Sequence, residues 1–199
     1  MSELTVLQAV RLKGRLSPAD LAATLDDADA SKTVEQLTAD GLVVDGPTLR
    51  LTPKGRERLT ALLAEERKSL DTAALKASYD EFHSINPHFK ALVTDWQLKA
   101  GQPNTHDDTD YDAAVLARLD GVHRRALTIV AAAATQLPRL SGYSAKLQTA
   151  LDKVKAGEIA WLTRPLIDSY HTVWFELHEE LILAVGLTRA QAAKSGDAQ

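Results

Sequence analysis

The 199 residues include no cysteine. That absence excludes a disulfide framework, thiolate catalysis and every cysteine-based zinc or iron–sulfur site. Long apolar runs are missing too: the longest small-apolar stretch, Ile129 to Ala134, is far too short to span a bilayer. No basic segment runs into an apolar one near the start, so no signal peptide is expected. The expectation is a cytoplasmic protein with no membrane partner. Proline (7) and glycine (10) are sparse, and few stretches alternate with period two, so the chain should be mainly α. There is no cationic excess: 23 Lys+Arg against 27 Asp+Glu leave a net charge of −4, which by itself gives no argument for a nucleic-acid partner. Phosphate loops, Gly-x-Gly-x-x-Gly turns, nucleophile elbows and His-Glu-x-x-His pairs are all absent, so no enzyme, cofactor or metal is expected.

Three short helices and a hairpin can be read in the first sixty residues. Leu4, Leu7, Val10 and Leu12 keep roughly a helical period, and Gly14 ends that segment. Ser17-Pro18 reads as an N-cap followed by proline at the first helical position, opening a helix to Leu25. A turn rich in aspartate (Asp26, Asp27, Asp29) leads to a third helix from Ala30 to Asp40, with Val34 and Leu37 inward and Gly41 as its stop. Leu42-Val43-Val44 and Leu49-Arg50-Leu51 flank Asp45-Gly46-Pro47 as a small β-hairpin. Thr52-Pro53 then caps a helix expected to run on to about Ile85.

Leu16 to Ala22, then Thr33 to Val43 with its L-x-x-D-G-L-V string, then Leu49-Arg50-Leu51-Thr52-Pro53-Lys54-Gly55, resemble the winged helix-turn-helix module of bacterial transcription regulators such as the MarR and GntR families. The resemblance covers about a third of the chain. It implies a DNA-binding domain over 1–65, in which 30–40 is the recognition helix and 42–51 the wing. Base contacts would come from Ser31, Lys32, Thr33 and Gln36, whose small or polar side chains suit the major groove. Phosphate contacts would come from Arg50 and Lys54, with Arg11, Lys13, Arg15, Thr48 and Arg56 nearby. Against this, residues 1–65 hold 8 Lys+Arg and 10 Asp+Glu, a net of −2, and DNA affinity rests heavily on phosphate neutralisation.

Residues 66–199 read as a helical bundle, a dimerisation and effector-binding domain in such a regulator. Asn86-Pro87 is expected to break one helix and open another over 88–100. A loop over 101–109, a helix from Asp110 to Leu137, another from Ser141 to Ala156 and a last one from Leu166 to Val185 follow. All three tryptophans and all six histidines lie beyond residue 78. On the last helix, Asp168, His171, Phe175 and His178 share a stripe beside Tyr170, Trp174, Leu177 and Leu181. Buried histidines need partners, and three readings compete. One is a small organic effector pocket drawn from His83, Trp96, Trp161, Tyr170, His171, Trp174 and His178. Another is a metal site, since Tyr79-Asp80-Glu81-Phe82-His83 has a loose similarity to the Asp…Phe-His start of one GntR subgroup. The third is ordinary core packing. Asp108, Asp110 and Asp112 mimic a calcium loop, but Ala113 and Leu119 stand where glycine and glutamate are required, so the acids read as helix-capping charges.

These patterns lead to the expectation of a ligand-responsive regulator that binds double-stranded operator DNA as a homodimer. The rival is a winged helix used for protein docking, or an enzyme with a His/Trp-lined pocket, either without DNA binding.

Overall fold

A computed structural model describes residues 2–14, 16–25, 30–44 and 46–194. The chain is mainly α, 74% helix, with two small two-stranded antiparallel sheets. It divides into two compact units, Met1–Ser69 and Leu70–Gln199. Among the described residues, no helix is long and apolar enough to cross a membrane.

In the first unit, α1 (Glu3–Lys13) is capped by Ser2, whose hydroxyl accepts from Thr5 N–H. It ends at Gly14, whose φ of 67° is available to glycine at little cost. Helix α2 (Pro18–Leu25) starts with proline at its first position, and Ser17 Oγ accepts from Asp20 N–H at 3.1 Å. Helix α3 (Ala30–Ala39) buries Ala30, Val34 and Leu37 along one stripe and stops at Gly41, φ 71°. Strands β1 (Val43–Val44) and β2 (Arg50–Leu51) pair antiparallel, and Leu16 adds a single bridge to Leu49. Helix α4 (Pro53–Arg67) is capped by Thr52, whose Oγ1 accepts from Gly55 N–H at 2.9 Å and also donates to Gly41 O at 2.8 Å. One hydroxyl thus ties the start of α4 to the turn after α3. The sequence-expected sites at Arg15, Asp26, Asp27, Asp29 and Asp45 lie outside the described residues.

Helix α4 does not run on to Ile85. The N–H groups of Lys68 and Ser69 turn back to Glu65 O and Glu66 O. Asp71 then accepts from Ala73 and Ala74 N–H and opens α5 (Thr72–Gln97). Pro87 does not break α5 either. The helix carries the proline inside it, and the buried stripe Phe82, Ile85, Phe89, Leu92 and Trp96 is continuous across it, so tertiary packing offsets the local cost of the proline. Part of the expected 101–109 loop belongs to a second hairpin, β3 (Leu98–Lys99) with β4 (Gln102–Pro103). Its two central residues, Ala100 and Gly101, both have positive φ, which matches the twist a two-residue hairpin demands.

Helix α6 (Thr109–Ala134) packs along α5, and a 3-10 turn (Pro138–Leu140) leads to α7 (Gly142–Lys155) and α8 (Ala160–Thr163). The last long helix, α9 (Tyr170–Ala184), starts four residues later than expected. Leu166 is left-handed (φ 67°) and exposed, so no helix forms there, and Ser169 supplies the cap. Helix α9 is buried on nearly every side, as its apolar composition predicts, and α10 (Arg189–Lys194) follows it.

Candidate functional site

Each unit places part of its predicted residues together. In the first, the inward stripe of α3 leaves Lys32, Glu35, Gln36 and Ala39 on the opposite side, away from the core. Lys32, Thr33, Gln36 and Lys54 line one shallow groove together with Glu3, Asp40 and Arg58. Ser31 is exposed on the first turn of α3, and Arg50 is exposed on β2; neither lines that groove. Charges there are mixed in sign. Gln36 Nε2 donates to both carboxylate oxygens of Asp40, at 3.2 and 3.1 Å. Lys54 Nζ donates to Asp40 O at 2.8 Å, a cation at the carbonyl end of α3. Arg58 grips Glu3 through two bonds of 2.9 and 2.7 Å. Arg56 Nη1 donates to Leu51 O at 3.1 Å, beside the hairpin. Arg11 and Lys13 are half-buried on α1.

In the second unit, α5 and α9 enclose a cleft of about 230 Å³ with α10 at its mouth. Three of the predicted ligand residues meet there: His171, Trp174 and His178. Asn86, Phe89, Lys90, Val93 and Thr94 form the α5 wall, and Phe175, Glu179 and Arg189 complete the rim. Phe89, Trp174 and His178 form the floor, part of a longer ladder of ring contacts. Phe89 and Trp174 centroids lie 4.5 Å apart, Trp174 and Phe82 4.7 Å, and Phe82 and His178 5.0 Å. Trp174 Nε1 donates to Asn86 Oδ1 at 3.0 Å, so the buried indole N–H is satisfied and its ring plane is held. Burial lowers the pKa of His171 from its ordinary 6.5, so its ring is neutral at pH 7. Arg189 lies over the Phe175 ring at 4.9 Å and 3.5 Å from the buried carboxylate of Glu179.

The other four predicted residues lie elsewhere. His83 is exposed and stacks beside Tyr79. Trp96 packs on His106 at 4.4 Å. Trp161 sits under Lys153. Tyr170 is fully buried, its hydroxyl 3.2 Å from His123 Nδ1, while His123 Nε2 meets Gln148 Oε1 at 3.0 Å. Burial raises the Tyr170 pKa far beyond its ordinary value, so it stays a neutral donor inside the core.

The acidic run is absorbed by capping. Asp108 accepts from Tyr111 N–H and pairs with Lys99, and these bonds lower its pKa. Asp112 holds His106 at 2.8 Å and Asn104 at 2.9 Å. Asp80 is paired with Lys76 on its own helix. Among the described residues, no group of three or more His, Cys, Asp or Glu is placed to hold a metal ion. Reading α9 as two adjacent stripes found His171 and His178 on one and Trp174 on the other. Phe89, Lys90 and Arg189 escaped it because they come from α5 and α10, and only tertiary packing brings them in.

In comparisons with protein-family models, with curated proteins and with solved structures, nothing matches this chain.

Proposed function

We propose that this chain is a ligand-responsive transcription regulator: its first unit is a winged helix-turn-helix that binds duplex DNA, and its second unit carries a small-molecule site. The observation that carries the reading is the order of elements around α3. Leu16 bridges Leu49, the β1–β2 hairpin follows α3 directly, and Thr52 ties α4 back to the turn after α3. That arrangement leaves the outward side of α3 open, with Lys32 and Gln36 on it, and sets the Arg50 hairpin after it. Such a helix suits the major groove, its N-terminal side chains addressing base edges while the hairpin cations meet phosphates. Two copies related by a two-fold axis would place two such helices about 34 Å apart, one turn of DNA. An effector that binds one arrangement of the dimer better than another then shifts DNA affinity by the ratio of its two affinities.

The acids Glu35 and Asp40 at α3, with the net −2 of residues 1–65, favour the second reading, a module that docks a protein. A mobility-shift assay with duplexes selected from a random pool separates the two. Arg50→Glu should abolish the shifted band at unchanged helicity by circular dichroism. Failure of the wild-type chain to enrich any duplex would leave the docking module in its place.

A further inference from the structure

We infer that the α5–α9 cleft receives a small planar carboxylic acid, its ring against Trp174 and Phe89 and its carboxylate between Lys90 and Arg189; this deepens the small-molecule half of the proposed function and is independent of DNA binding. Size comes first. About 230 Å³ is below the usual range for drug-sized cavities, about 300–1,000 Å³, and fits one ring with a short substituent. Shape comes from the floor, where the Phe89 and Trp174 rings present flat apolar surface to a ligand ring.

Charge decides the class. The titratable groups facing the cleft are Lys90 on α5, His171, His178 and Glu179 on α9, and Arg189 on α10. Among the described residues Lys90 has no ion-pair partner, although it borders an aromatic floor. His171 makes a ring contact with Phe89 and no hydrogen bond among the described residues, so a neutral imidazole stands at the mouth with its nitrogens available. Arg189 lies 3.5 Å from a Glu179 carboxylate oxygen and over the Phe175 ring. A guanidinium has five donors, so Arg189 keeps N–H groups for a second acceptor. With Glu179 balancing Arg189, the cleft carries one uncompensated positive charge, that of Lys90. A monoanion matches it. A cation meets Lys90 and Arg189 with like charge, and a neutral ring leaves Lys90 unanswered.

The test is titration calorimetry of the full chain at pH 7.5 with benzoate, benzamide and benzylamine, three one-ring probes that differ in charge. Benzoate should bind about tenfold more tightly than benzamide, the usual effect of one hydrogen bond to a charged group, and benzylamine should give no heat. Lys90 is exposed on α5, so Lys90→Gln should fold normally. It should shrink the benzoate preference, with the loss in affinity falling on benzoate more than on benzamide. Equal affinities for benzoate and benzamide, or benzoate binding untouched by Lys90→Gln, would overturn the acid assignment while the apolar pocket stands. No heat from any probe would overturn the acid and the pocket together.

Discussion

At the scale of single residues, Gly55 shows what the Leu-Thr-Pro-Lys-Gly string is for. A Cβ built on Gly55 would lie 2.0 Å from Leu42 O, a backbone atom that also accepts from Thr52 N–H at 3.0 Å. Neither partner can move without opening the α3–α4 tie. Gly55→Ala should therefore cost about 1–3 kcal/mol, the usual range for overpacking, even though alanine gains about 1 kcal/mol in helix propensity. Gly121→Ala on α6 meets nothing within 4 Å and should stabilise by about that propensity gain. Thermal melts of the two variants should move in opposite directions. His171 makes a second prediction at this scale. The folded chain holds its pKa below the ordinary 6.5, so the unfolded chain takes up that proton at higher pH. The resulting stability is present above about 6.5 and is lost as the pH falls below it. The urea midpoint should drop between pH 7.5 and 5.5, and His171→Gln should reduce that drop. An equal drop in the variant would assign the acid sensitivity to other groups.

At the scale of elements, α5 and α9 are locked by Trp174 Nε1 and Asn86 Oδ1, both inside the core. Asn86→Leu keeps the volume and strands the indole N–H, so it should cost about 1–3 kcal/mol. If the bond is the cause, Trp174→Phe should cost less in the Asn86→Leu background than in the native one, by about 1 kcal/mol in a double-mutant cycle. A coupling near zero would mean that ring packing alone holds the pair. The same residues show where sequence reading succeeds and stops. Ser17-Pro18 and Thr52-Pro53 state their caps locally, and the structure has both. The β1–β2 hairpin and the inward Val34 and Leu37 were equally legible, because each signal lies within a few residues. Asn86-Pro87 misled, since a proline's local cost says nothing of the Phe82–Phe89 stripe packed across it. The β3–β4 hairpin was hidden because Ala100 gives no sign of its positive φ. In the cleft, α9 announced its aromatic and imidazole stripes by period alone. Lys90 and Arg189 lie 81 and 18 residues from His171, and no spacing rule joins them.

At the scale of the whole molecule, the proposed DNA binding must overcome a net charge of −4. The cations around the hairpin are therefore the ones that matter, and salt titration counts them. Each neutralised phosphate contributes about −0.9 to the slope of log affinity against log salt. Arg50, Lys54 and Arg56 surround the hairpin and the start of α4. If all three reach phosphates in each of two copies, six contacts predict a slope of about −5, and a single copy predicts about half of that. Fluorescence anisotropy of a selected duplex between about 50 and 200 mM salt reads this slope directly, and sedimentation of the same complex gives the number of chains bound. A steep slope with two chains, softened by about two in Arg50→Gln because one contact is lost from each copy, is the result expected of a symmetric reader. A slope near zero, or one unchanged by that substitution, would mean that the hairpin does not touch the duplex, and the net-acidic first unit would then be better explained as a protein-docking module.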